Sequence, residues 1–154
     1  MKILICGLPG SGKTWLAERL ITKIENCAWF NADAVRKAAN DWDFEMAGRI
    51  RQAKRMRTYA DFEKEHGRTV ICDFVAPTEE TREQFEPDFT IWLDTIPSGR
   101  FEDTNKMFEK PAKVDKKIDQ FLPDSDIFAI ASELNIIRKG KLNGLEKANS
   151  TNAG

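Results

Sequence analysis

Gly7-Leu8-Pro9-Gly10-Ser11-Gly12-Lys13-Thr14 is a run of three glycines leading into lysine and threonine, with the spacing GxxxxGK and then a hydroxyl residue. The chemistry it suits is polyphosphate binding. The glycines let the backbone wrap a phosphate chain with its N–H groups pointing inward, Lys13 reaches the β- and γ-phosphates, and the Thr14 hydroxyl is a magnesium ligand. The whole run, Gly7, Leu8, Pro9, Gly10, Ser11, Gly12, Lys13 and Thr14, is therefore read as the binding segment for ATP with Mg2+.

Acidic side chains come next. In an open parallel sheet, ligands gather outside the carboxyl ends of the strands. Those ends are expected at Gly7, Asp33, Asp73 and Asp94. Asp33 faces the phosphate loop as the base for an attacking hydroxyl, or serves as a helix N-cap, and the two roles are compatible. Asp73 ends the run Val70-Ile71-Cys72-Asp73, where a carboxylate orients magnesium directly or through water. Asp94, followed by Thr95 and Pro97, reads as a turn residue. The expected catalytic set is Lys13, Asp33 and Asp73, with Thr14 and Asp73 toward the metal.

Cations and aromatics define a candidate acceptor side. Arg36 lies one helical turn after Asp33, so both are expected to face one pocket. Arg49, Gln52 and Met56 form one stripe, and a bidentate arginine suits a phosphate or sulfate oxygen pair. Phe44 and Trp42 either stack on a base or pack a connector. His66, the single histidine, is given no chemical role. Zinc-ligand spacing, a Ser-His-Asp set and heptads are all missing from the sequence.

The elements that must position these residues alternate between strand and helix, which predicts βαβ units and a doubly wound parallel sheet with helices on both faces. Lys2-Ile3-Leu4-Ile5-Cys6 is an apolar strand, and Leu16, Ala17, Leu20 and Ile21 share the face of the helix that follows. The second strand is Ala28-Trp29-Phe30, followed by a helix from Asp33, its expected cap, to Asn40. A longer helix is expected over 46–66, closed by Gly67, with Met46, Ile50, Ala53 and Ala60 as its apolar side. Thr69–Asp73 and Phe89–Asp94 are the third and fourth strands, and a late helix starts near Asp124. Val114–Ile118 reads equally as a fifth strand or a helix start. One kinase-sized domain over 1–137 is expected, with residues 138–154 as a flexible polar tail.

With 24 Lys and Arg against 25 Asp and Glu in 154 residues, the net charge of −1 gives no bulk electrostatic case for a nucleic-acid partner. Three cysteines without CxxC spacing read as free thiols in a reducing compartment. Neither a signal peptide nor a membrane span is legible, so a cytoplasmic enzyme acting on a small nucleotide is expected. The oligomeric state is not legible, and a homodimer is compatible with the sequence.

The phosphate loop, Asn31-Ala32-Asp33-Ala34-Val35-Arg36, Phe44, Arg49, Asp73-Phe74-Val75-Ala76-Pro77, Arg82 and Phe108-Glu109-Lys110-Pro111 together resemble the adenylylsulfate kinases over roughly residues 1–120. The resemblance implies a kinase that phosphorylates the 3′-hydroxyl of adenylyl sulfate with MgATP. By position it implies Asp33 as base or magnesium partner, and Arg36 and Arg49 gripping the phosphosulfate. Phe44 would stack on the substrate adenine, Gln52 would stand at a substrate contact, and Val75 and Ala76 would offer backbone contacts. The chain departs from that family at Asn31 (an acid there), Gln52 (an asparagine) and Asp73 (a serine), and its basic lid is nearly gone, since Ser98-Gly99-Arg100-Phe101 leads almost directly to Pro111. The departures bear on the acceptor more than on ATP. Asn-x-Asp-x-x-Arg with an Asp ending the third strand is also similar to polynucleotide 5′-kinases, and a nucleotide-binding module without transfer is a third reading.

Overall fold

The computed structural model describes the backbone of residues 1–152 and side chains to Lys141; Ala153 and Gly154 of the expected tail lie outside the described residues. In chain order the elements are β1 (Lys2–Cys6), α1 (Lys13–Leu20), β2 (Cys27–Asn31), α2 (Ala32–Ala39), α3 (Met46–Glu65) and β3 (Thr69–Asp73). They continue as α4 (Glu79–Phe85), β4 (Phe89–Leu93), α5 (Glu102–Met107), β5 (Lys116–Ile118) and α6 (Asp124–Asn152).

The strands form one parallel sheet in the order β2-β3-β1-β4-β5. Side chains alternate across it, as the strand period requires. Ile3, Ile5, Ile71 and Ile91 face α1 and α6, packing on Leu16, Leu20, Ile127, Ile130 and Leu134. Leu4, Cys6, Val70 and Cys72 face the other way, onto Val35 of α2, Met56 and Ala60 of α3 and Phe85 of α4. Helices thus cover both faces, which is the expected doubly wound architecture. The chain crosses from one side of β1 to the other between β3 and β4, so the loop after β1 lies where such sheets open a crevice.

Several expectations are corrected. The buried side of α3 is Gly48, Arg49, Gln52, Ala53, Met56 and Ala60, while Met46 and Ile50 are only half-buried. Of the two readings left open for Val114–Ile118, the strand is the one that forms, over 116–118, where Lys116, Lys117 and Ile118 pair with Ile91, Trp92 and Leu93. Helices α4 and α5 were not expected; α4 carries a capping box in which Thr78 and Thr81 satisfy each other's backbone N–H groups. Over residues 138–152 the backbone continues α6, and Arg138 pairs with Glu25 at 2.6 Å. Polar composition removes the drive to bury a segment but does not forbid a helix. Cys6 and Cys72 are buried, Cys27 is half-buried, and all three are free thiols. Among the described residues, no helix is long and apolar enough to cross a membrane.

Candidate active site

The loop between β1 and α1 is shaped around its glycines. Gly12, the N-cap of α1, has φ 102°, and a Cβ there would lie 3.2 Å from the Phe121 ring. No side chain caps α1 and no acid sits in its first turn, so its N-terminal N–H groups are left for an anion. Lys13 Nζ donates to the Leu8 carbonyl at 2.9 Å across the loop. Burial pulls the Lys13 pKa down to about 8, against the opposing charges of Asp73, Cys6 and Asp33. An anion in the loop would relieve that desolvation directly.

Asp73 ends β3 beside the loop and is bonded on both oxygens. The Trp29 indole N–H donates to Oδ1 at 2.6 Å, and the Thr14 hydroxyl donates to Oδ2 at 3.2 Å. The Asn31 amide reaches Oδ2 at 3.2 Å and Thr14 Oγ1 at 3.2 Å. Burial lifts the Asp73 pKa to about 6, opposed by the bonds from Trp29, Thr14 and Asn31 and by the Lys13 charge. The two residues expected to serve the metal are therefore in direct contact.

Asp33 is not the cap of α2. Asn31 is extended at φ −89°, ψ 138°, and its side-chain oxygen accepts from Ala34 N at 3.1 Å, which satisfies the helix end. Asp33 is left exposed in the first turn, on the wall of a cavity of about 850 Å³. That cavity also receives Pro9, Gly10, Gly12, Lys13, Thr14, Asn31, Phe44, Arg49, Asp73 and Val75. The fold thus gathers around one space residues named from the loop motif, from strand ends and from the resemblance.

Other expected contacts lie elsewhere. Gly7, Leu8 and Ser11 do not line the cavity, and the Ser11 hydroxyl is buried without a partner among the described residues. Arg36 does not share the pocket with Asp33: it is buried, its Nη1 donates to the Asp41 and Asp43 carbonyls at 2.9 and 3.0 Å, and it stacks on Phe44 at 4.4 Å. It pins the loop that presents Phe44. Gly48 of α3 completes that seat, because any side chain there would run into Asp43. Gln52 donates to the Ala32 carbonyl at 3.0 Å and holds Arg55, away from the cavity. Ala76 is buried with φ 43° and does not line the cavity, whereas Val75 does.

Sequence reasoning missed cavity residues from the segment around α5: Arg100, Phe101, Asp103, Thr104 and Met107. Phe101 is about half exposed, as is Phe44, so two aromatic rings are offered to the same space. The available signal was an aromatic residue beside an arginine just before two acids. Trp15, Glu45 and Met46 also line the cavity. Arg82, expected from the resemblance, ties two segments together: it pairs with Glu79 at 2.6 Å, donates to the Glu109 carbonyl and lies over Phe108.

The sequence profile of the adenylylsulphate kinases matches residues 1–93, from β1 through β4. The chain belongs to the adenylylsulphate kinase family. Comparison with curated protein sequences gives no match. Among solved structures, the APS kinase of Mycobacterium tuberculosis in complex with AMPPNP and APS superposes with a TM-score of 0.70 at 20% identity, covering 86% of this chain and 94% of that one. A gluconokinase from Sinorhizobium meliloti gives 0.63 at 14% identity, with coverage of 93% and 96%. A shikimate kinase from Aquifex aeolicus gives 0.56 at 18% identity, with coverage of 94% and 99%. At these identities the likeness is one of fold, and the fold is that of the P-loop kinases. The adenylylsulphate kinase profile stops before α5, so residues 94–154 lie outside the match.

Proposed function

We propose that this chain is an ATP-dependent kinase that phosphorylates an alcohol hydroxyl of a small nucleotide, adenylyl sulfate being the acceptor its family favours. The observation that carries the reading is the shared cavity: the phosphate loop, Asp33, Asp73, Arg49 and Phe44 all open onto it. Bound MgATP supplies the transferable phosphoryl group, and its metal ion neutralises charge on the phosphate oxygens. Among the described residues, no three His, Cys, Asp or Glu side chains gather to hold a metal by themselves. Thr14 with Asp73, completed by phosphate oxygens, fits a magnesium ion held jointly by protein and nucleotide.

Asp33 accepts the proton of the acceptor hydroxyl as its oxygen bonds to the γ-phosphorus and the bond to the bridging oxygen breaks, leaving ADP. Lys13 leaves the Leu8 carbonyl for the phosphate oxygens. Phe44 and Phe101 offer flat faces to a base, and Arg49 offers a cation to an acidic group on the acceptor. The runner-up acceptor, a polynucleotide 5′-hydroxyl, would require several backbone phosphates to be neutralised and a steep fall of affinity with salt.

The test offers MgATP with adenylyl sulfate or with a 5′-hydroxyl oligonucleotide at matched concentration, following ADP release at low and high salt. Release with adenylyl sulfate and shallow salt dependence are expected. Phosphate appearing only on the oligonucleotide would replace this reading with the runner-up. ADP release with neither would favour a binding module.

A further inference from the structure

Arg49 is 7% exposed, and its guanidinium is held at two corners. Nε donates to the Phe44 carbonyl at 2.7 Å, and Nη2 donates to Thr104 Oγ1, also at 2.7 Å. A guanidinium has five N–H groups, so this clamp leaves donors over for the cavity that Arg49 lines. Among the described residues no carboxylate pairs with it. Burial, and then the neighbouring Arg36 charge, push its pKa below the ordinary arginine value. Burial lowers the Arg36 pKa as well, but there the charges of Asp41 and Asp43 oppose the shift, and no carboxylate opposes it at Arg49. A desolvated cation without a counter-charge is costly until an anion reaches it.

The second corner of the clamp comes from α5. Thr104 is the buried residue of α5, 5% exposed, and its hydroxyl joins α5 to α3. Without that hydroxyl, the Phe44 carbonyl would still tether Nε, but the Nη2 end would be free to swing about it. Arginine carries a large rotamer entropy, so a second fixed corner matters for aim.

We propose that Thr104 is a positioning residue and that its hydroxyl sets the plane of the Arg49 guanidinium so that the spare N–H groups meet an anionic group of the acceptor. Acceptor selection then depends on α5 being docked. The proposal rests on reading Arg49 as an acceptor contact.

The test uses inorganic sulfate as probe on the full chain, titrated calorimetrically against wild type, Arg49→Ala, Thr104→Val and Thr104→Ser. The sulfate binding lost in Arg49→Ala defines the Arg49 site, and sulfate on the phosphate loop cancels in that comparison. Thr104→Val keeps the branched shape but removes the hydroxyl, and is expected to weaken the Arg49-dependent binding on the order of ten-fold. Thr104→Ser should restore it to within about three-fold, and thermal melts confirm that all variants are folded at the titration temperature. Unchanged binding in Thr104→Val would overturn the proposal. So would equal weakening in both variants, which would mean packing alone, or wild-type sulfate binding that does not depend on Arg49. In turnover with adenylyl sulfate, Thr104→Val should raise KM and spare kcat. A wild type with no turnover would count against the proposed kinase function, while the sulfate titrations would still decide the role of Thr104.

Discussion

Asn31 and Asp73 are register partners on β2 and β3, and the Asn31 amide donates to both carboxylate oxygens of Asp73, at 3.4 and 3.2 Å. Two carboxylates at directly opposed positions would repel each other. An amide facing an acid gives a bonded pair instead, and the same Asn31 side chain also caps α2 and reaches Thr14. The local charge beside the phosphate loop therefore sits on β3, with β2 supplying the donors that hold it.

Asp73 should make stability depend on pH. Burial keeps its carboxyl protonated in the folded protein up to about pH 6, whereas an unfolded Asp loses its proton near 3.8. A raised acid pKa contributes stability that is complete below the unfolded value and is lost as pH rises through the folded one. Relative to Asp73→Asn, metal-free wild type should lose up to about 3 kcal/mol between roughly pH 4 and pH 6. Urea unfolding of both proteins across that range measures it. A difference independent of pH would mean that Asp73 is not desolvated as described.

Lys13→Ala should fold and lose ATP. Lys13 already lies inside the loop with its charge desolvated, so it has little packing to lose and a strong phosphate contact to give up. A charge-assisted bond is worth about 1.5–3 kcal/mol, so Kd for MgATP should rise about 10- to 100-fold by calorimetry. Equal affinity in the two proteins would contradict the loop assignment.

Asp33→Asn should separate chemistry from binding. Asn31, not Asp33, caps α2, so the melting temperature should barely move. Removing a general base costs about 10²- to 10⁴-fold in kcat, while Kd for MgATP should stay near the wild-type value. A variant that loses stability and ATP affinity together would mark Asp33 as structural.

Arg36→Ala tests the role the structure gives that residue. Its guanidinium satisfies two backbone carbonyls of the loop carrying Phe44 and stacks on the Phe44 ring. Truncation leaves two part-buried carbonyls without their partner, which costs up to about 1–3 kcal/mol, and frees the ring. Lower thermal stability with a raised acceptor KM is expected. An acceptor defect with undiminished stability would restore the direct-clamp role.

These contrasts show where the sequence was legible. The phosphate loop announced itself because its chemistry needs fixed residue types at fixed spacing over eight neighbours. The strands Lys2–Cys6, Thr69–Asp73 and Phe89–Leu93 read clearly because buried parallel strands are continuous apolar runs. Arg36 was misplaced because three-residue spacing puts it on a helix face with Asp33 but says nothing of the loop at 41–45 that folds back over it. Thr104 was invisible because only the packing of α5 on α3 brings its hydroxyl to Arg49, and the Arg100-Phe101 signal gave no hint of which space the ring would enter. Residues 116–118 became a strand by pairing with β4, a long-range fact that three residues cannot encode alone.

The most direct measurement of the central claim follows the label from γ-labelled ATP in the presence of magnesium and adenylyl sulfate. Transfer to the 3′-hydroxyl of adenylyl sulfate is expected, with one ADP formed for each labelled product and both abolished in Lys13→Ala. Label recovered only as inorganic phosphate, or ATP left intact by a folded protein that binds it, would contradict the claim that this cavity is a phosphotransferase site.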